Sequence, residues 1–252
     1  MGFHYQPSMQ VTDSMKYLLA LLIWWGTPPV LPQGTAPAPE HTAWNTLLKE
    51  FVNEKGDVAY ARFKTKEKEL NAYLDYLGEN APATNWTQNE TLAYYINMYN
   101  AATVALILEN YPVKSIKDIW RPWGQDRLMV GDKTLSLGDI EHRILRKMNE
   151  PRIHFAINCA SFSCPKLKNE AYTAARMEAQ LQEATEDFIN DTTKNILTPN
   201  ALQLSAIFKW YKGDFMEKRP LIAYIQPYTR VPLSPDAKIS YLPYDWNLNE
   251  IR

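Results

Sequence analysis

The chain has 252 residues, enough for one sizeable core, and its 46% hydrophobic and 22% charged residues are ordinary globular composition. A formal net charge of -1, with no block of Lys or Arg, excludes a nucleic-acid binder that displaces counterions from a basic face. The 8 Trp and 15 Tyr point to a core or cleft rich in amphipathic rings.

The first expected element is a targeting segment and tether over residues 1–36. Met15-Lys16 supplies the positive charge that residues 1–14 lack. Tyr17 to Trp25 then form an apolar run of about nine residues, the length of a signal-peptide core. Gly26-Thr27-Pro28-Pro29 stops the run well short of the roughly 20 apolar residues that a spanning helix needs. Pro32 to Pro39 read as an extended stretch suited to cleavage or tethering. The expectation is an exported protein, periplasmic or secreted, that meets a membrane only through this segment. The folded domain is expected over residues 40–252.

From His41 to Asn53, Trp44, Leu47, Leu48, Phe51 and Val52 make a helical stripe. Leu70, Tyr73, Leu74 and Leu77 predict a second helix from Lys66 to Leu77. The clearest helix runs from Gln88 to Asn110. Thr87 and Glu90 form a capping-box pair at its start, and Tyr111-Pro112 stops it. It is apolar nearly all round, so it is expected to be the buried centre of the fold. Leu128 to Leu137 reads as a hairpin with Gly131-Asp132 in the turn. Ser136 and Asp139 open a helix to about Met148, and Thr173 caps another to about Asn190. Asn195 to Leu204 reads as a second hairpin, Ser205 to Asp214 and Arg219 to Tyr228 as short helices, and Lys238 to Pro243 as a last strand. Helices outnumber strands, and the strands come as local pairs. The fold class is therefore α+β: a mainly helical single domain with short antiparallel hairpins around a central buried helix, not a parallel nucleotide-binding sheet.

Three places carry polar residues that a plain core does not need. Residues 152–165 hold Arg152, His154, Ser161 and both cysteines of the chain, Cys159 and Cys164. A cysteine nucleophile needs a thiolate, hence a helix N-terminus or an imidazole nearby, and His154 and His142 are the candidates. Papain-like and transglutaminase-like enzymes place that histidine after the cysteine, whereas no His follows His154 here, so a different arrangement is required. The same two cysteines, with four residues between them, can instead close a disulfide in an oxidising compartment. They can also remain as buried free thiols. His154, Cys159 and Cys164 match no common zinc spacing, so no metal is expected, and no cofactor. On the long helix, Glu90, Tyr94, Asn97 and Asn100 form a polar stripe at three- and four-residue steps. Buried amides demand either a hydrogen-bond network or a cleft. Finally, Phe208 to Phe215 and Tyr244 to Asn249 join aromatic rings to Lys and Asp, a composition that suits core staples or a sugar or peptide platform.

These segments together resemble the uncharacterised family DUF547. Glu90-Thr-Leu-Ala-Tyr-Tyr-Ile-Asn97-Met-Tyr-Asn100-Ala is similar to its E-x-x-A-F-W-I-N-x-Y-N-A block, with Tyr94-Tyr95 standing where Phe-Trp is usual. Leu137-Gly-Asp-Ile-Glu-His142-Arg-Ile-Leu145 resembles L-x-D-I-E-H-x-I-L, and residues 151–165 resemble P-R-I-H-F-A-x-x-C-x-x-x-S-C-P. Residues 208–215 and 244–249 match its F-x-W-Y-x-x-D-F and Y-D-W-x-L-N signatures, so the resemblance runs in order from about Ala43 to Asn249. The family has no established activity, so the resemblance implies kinship and directs attention to the Glu90–Asn100 stripe and the His154–Cys159–Cys164 segment.

Two functional expectations follow. In the first, the chain is a cysteine-dependent hydrolase or acyl transferase of the cell envelope. Cys159 or Cys164 is its nucleophile, His154 its base or orienting group, and Glu90, Asn97 and Asn100 its polar support. In the second, it is a non-catalytic envelope module with a Cys159–Cys164 disulfide. Asn97, His142, Arg152, Ser161 and Trp210 are the candidate contacts to a small-molecule or peptide ligand.

Overall fold

The computed structural model describes residues 1–4 and 36–251. Contacts divide the chain into two units, Met1–Pro32 and Gln33–Arg252. Of the first, residues 1–4 have no regular structure and are exposed. The apolar run expected to be a signal-peptide core lies outside the described residues. Among the described residues no helix is long and apolar enough to cross a membrane.

The second unit is α+β and mainly helical. Helix α1 (Thr42–Phe51) packs on α2 (Tyr60–Phe63) and α3 (Glu67–Glu79), which in turn pack on α4 (Gln88–Asn110). The expected capping box opens α4: the Thr87 hydroxyl accepts from the Glu90 N–H at 3.2 Å, and the Glu90 carboxylate accepts from the Thr87 N–H at 2.7 Å. Its 23 residues span about 35 Å. Every residue from Leu92 to Leu108 is buried, so α4 is the rod around which the main core condenses. Each large apolar side chain so buried contributes roughly 1.5–3 kcal/mol.

Strands β1 (Leu128–Val130) and β2 (Lys133–Leu135) form the first expected hairpin, with Leu128 opposite Leu135. Gly131 turns it at φ 61°, a left-handed conformation that glycine adopts without penalty. Ser136 and Asp139 make the expected pair, the Ser136 hydroxyl donating to the Asp139 carboxylate at 2.6 Å. The helix expected behind them is irregular, however. It is a widened π-turn over Asp139–Ile144 that tightens into a 3-10 turn, Leu145–Met148, and ends at left-handed Asn149. Leu137, Ile140, Glu141 and Leu145 are all buried, three- and four-residue steps keeping them on one face. Residues Pro151–Phe155 make a further 3-10 turn before α5 (Met177–Asn190).

Strands β3 (Ile196–Thr198) and β4 (Ala201–Leu204) form the second hairpin. The last strand, β5 (Lys238–Tyr241), for which the sequence indicated no partner, lies parallel to β4 with Ala201 opposite Lys238. Residues 205–237 make that possible: they hold α6 (Ile207–Trp210), α7 (Lys212–Met216) and α8 (Leu221–Ile225), a crossover long enough to return the chain to its starting side. The single helix expected over 205–214 is broken at Tyr211 into α6 and α7. A second core of Phe155, Phe188, Phe208 and Phe215 fills the space under this sheet. After β5 the chain runs beside residues 160–163, with hydrogen bonds from Phe162 N–H to Asn247 O (2.7 Å) and Asn249 N–H to Ala160 O (3.2 Å).

Candidate functional site

Two amides of α4 hold the surrounding loops. Asn100 donates to Ala156 O at 2.9 Å and accepts from Asn158 N–H at 2.8 Å. One turn earlier, Asn97 donates to Tyr172 O at 2.7 Å and accepts from Tyr172 N–H at 3.0 Å. Asn158 continues the clamp, donating to Pro165 O (2.7 Å) and accepting from Ala160 N–H (2.7 Å). Ala160 sits at φ 57°, a conformation that a residue with a Cβ adopts only when its surroundings impose it. Residues 156–165 are thereby pinned as a tight loop.

That loop carries the disulfide Cys159–Cys164, whose Cα atoms are 6.1 Å apart. Cys164 is buried and Cys159 is partly open. The Ser161 and Tyr244 hydroxyls lie 3.1 and 3.3 Å from Cys159 Sγ; a bridged sulfur has no proton, so Tyr244 donates to it, while Ser161 gives its proton to the Tyr244 oxygen at 3.1 Å. Burial pushes the Tyr244 phenol well up, which keeps it a donor.

Beside the disulfide a cavity of about 340 Å³ opens to solvent. Trp210, Tyr244 and Trp246 form a continuous aromatic wall, with ring centroids 4.5 to 5.7 Å apart. Trp123 and Tyr211 extend it. The most unusual group in the cavity is Glu141, only 5% exposed. Tyr99 donates to its Oε2 at 3.1 Å and Tyr211 to its Oε1. Burial, and then the Glu141 carboxylate itself, raise both phenols well above the ordinary tyrosine value, so both stay protonated.

The two histidines of the cavity are held differently. His142 is half-exposed; its Nδ1 lies 3.6 Å from Glu141 Oε1 and 3.4 Å from an Arg146 nitrogen. A guanidinium only donates, so Nδ1 accepts from Arg146 and gives nothing to Glu141. His154 is buried, stacked on Tyr211 at 3.9 Å between ring centroids, with Nε2 at 2.8 Å from Asp214 Oδ2. Arg146 grips the same carboxylate at 2.6 and 2.8 Å and, with His154, drives Asp214 far below the usual carboxylate range. An ionised Asp214 only accepts, so His154 carries its proton on Nε2. Burial pushes the imidazole below its ordinary value, partly offset by Asp214, and leaves it neutral near pH 7.

Of the residues singled out in the sequence, His142, His154, Cys159, Cys164 and Trp210 line this one cavity. Ser161 is buried against Cys159 and Tyr244 just behind it. The others stand elsewhere. Glu90 caps the outer end of α4, where its carboxylate is occupied by Thr87. Asn97 and Asn100 are fully engaged with loop backbone. Arg152 is gripped by Glu150 and Glu178 and does not line the cavity. The imidazole of His154 is bound to Asp214 rather than to either sulfur. Among the described residues no group of three His, Cys, Asp or Glu side chains is arranged to hold a metal ion.

Residues 83–189 match a family model described as "Protein of unknown function, DUF547". Over that segment the chain is similar to DUF547. The match runs from just before α4 to the end of α5, so it takes in Glu141, both cavity histidines and the disulfide loop. Trp210, Tyr211, Asp214, Tyr244 and Trp246 lie beyond the DUF547 match, on segments that close the cavity from the C-terminal side. No curated protein and no solved structure matches the chain.

Sequence reasoning passed over Glu141, Tyr99, Tyr211, Tyr244 and Asp214 as individual site residues. For Glu141 a signal existed. Leu137, Glu141 and Leu145 fall at successive four-residue steps, so an acid sits between two leucines that are wholly buried. An acid on an apolar stripe is a candidate buried group. For the tyrosines no signal was available, because a buried ring and a ring that aims its hydroxyl at a carboxylate have the same spacing.

Proposed function

We propose that this DUF547-like domain is a binding module of the cell envelope that takes a small molecule or a peptide side chain in the aromatic cavity, with the Cys159–Cys164 disulfide as a structural staple in the wall. The single observation behind this reading is the convergence of Trp210, Tyr244 and Trp246 with the hydrogen-bonded Glu141 carboxylate on one open cavity. An apolar pocket with a few oriented polar groups is the usual form of a small-molecule site. The disulfide argues for an oxidising compartment, in keeping with the targeting segment read from residues 1–36. A net charge of -1 with no block of Lys or Arg argues against a nucleic-acid ligand.

Screening a small-molecule and dipeptide library by thermal shift tests this reading, with Trp210→Ala as the control. Ligands that stabilise the wild type and not the variant support the pocket. A library without one such ligand counts against it.

A cysteine-dependent hydrolase or acyl transferase is the second reading, favoured by one observation: partly open Cys159 shares the cavity with His142. In this reading two thiol equivalents first reduce the disulfide and are themselves joined as one. Cys159 then attacks an acyl carbon, and His142 takes the thiol proton on Nδ1, in place of its contact to Arg146, and passes it to the alcohol or amine that leaves as its bond to the acyl carbon breaks. Thiol-probe labelling of Cys159 with and without reductant distinguishes the two. Labelling of the untreated protein would favour the enzyme, and labelling only after strong reduction favours the staple.

A further inference from the structure

Glu141 has two tyrosine donors and no cationic partner among the described residues. Within 4.0 Å only His142 approaches it, at 3.6 Å, and that nitrogen is turned to Arg146. Arg146 itself is committed to Asp214. A carboxylate with two oxygens offers about four acceptor positions, of which the tyrosines use two. A buried carboxylate that makes no close ion pair of its own, its neighbour Arg146 being bound to Asp214, is placed to receive a charge that a ligand brings.

The walls point the same way. Aromatic faces carry negative quadrupole density, and rings of this wall already attract cations: Lys117 lies 5.0 Å from the Trp246 ring centre and Arg146 lies 5.4 Å from that of Tyr211. Trp210 is 48% exposed and presents a ring to whatever enters the cavity. Three clustered rings beside an acid are the ingredients by which proteins recognise ammonium groups.

Resting on the pocket reading, we propose that the cavity is selective for compact organic cations, bound with the ammonium against Glu141 and the Trp210–Tyr244–Trp246 wall. The tyrosine hydroxyls hold the carboxylate in place, and the disulfide and Ser161 close the back of the site.

The test compares matched probes that differ in charge and hardly in shape: choline against 3,3-dimethylbutan-1-ol, and phenethylamine against phenethyl alcohol. Binding to the full chain is read by tryptophan fluorescence and calorimetry. The expected result is that at least one cation binds about tenfold or more tightly than its neutral partner. Glu141→Gln keeps an acceptor for a tyrosine and is expected to abolish that preference while sparing the neutral ligand. The wild-type comparison needs no variant, so it holds even if Glu141→Gln folds poorly. If the neutral members bind as well as the cations, the charge selectivity is wrong and the pocket reading survives. If neither cation binds while other library compounds do, the selectivity is again wrong. If no compound of any kind binds, the pocket reading falls with it.

Discussion

Asn100→Ala should be among the most damaging single substitutions in this domain, although it removes only a small polar group. The Asn100 amide meets two buried backbone groups, the Ala156 carbonyl at 2.9 Å and the Asn158 N–H at 2.8 Å, and its residue is 3% exposed. Alanine leaves both unsatisfied. Each such group costs about 1–3 kcal/mol, so the loss lies between about 2 and 6 kcal/mol, and a water entering the vacated space would cover one of the two groups. We expect a loss of about 3 kcal/mol. Urea unfolding followed by tryptophan fluorescence measures it as a lower midpoint at unchanged slope. The same clamp positions the loop that carries Cys159, so ligands of the cavity should bind more weakly at temperatures where the variant is still folded. A loss below about 1 kcal/mol would refute the reasoning, since it would mean that the two backbone groups have other partners.

Thr87→Ala, at the exposed end of α4, should cost only about 1 kcal/mol by chemical unfolding, and Glu90→Gln should leave ligand affinity unchanged. Reduction, or Cys159→Ser with Cys164→Ser, should lower stability by about 2 kcal/mol, the value for so short a closed loop; unfolding with and without reductant reads this, and thiol titration of the untreated, denatured chain should find no free cysteine. Stability should fall as pH drops below the ordinary histidine value. Burial depresses His41 to about 4, so the unfolded chain takes up a proton there between about 6.5 and 4 that the fold refuses. This contribution is complete above about 6.5 and is lost by about pH 4; it amounts to roughly 3 kcal/mol, and a His41→Gln variant should show a flatter melting temperature against pH. His154, also depressed by burial, acts in the same direction. Trp210→Ala should remove ligand binding while changing the unfolding free energy by under about 1 kcal/mol, because half of that side chain is already in water.

Local pattern was enough to read most elements of this chain. The capping box at Thr87 and Glu90, the all-round apolarity of α4 and the glycine turn at Gly131 are written in neighbouring residues, and they act over one or two turns of backbone. The α+β class and the similarity to DUF547 over residues 83–189 were legible for the same reason. What local pattern could not supply was partner choice. Asn97 and Asn100 announce that a buried amide needs partners, but only packing shows that those partners are loop backbone and not a substrate. Likewise, Glu90 and Glu141 are both acids near helix starts. One is spent on a cap, and the other is carried inward because it lies between Leu137 and Leu145 on a stripe that packs against the core. The parallel pairing of β5, and the meeting of Tyr99, Glu141 and Tyr211 with an aromatic wall from residues 210–246, depend on contacts between residues far apart in the chain. Such contacts are decided by how the whole core closes, and no short window of sequence contains that information.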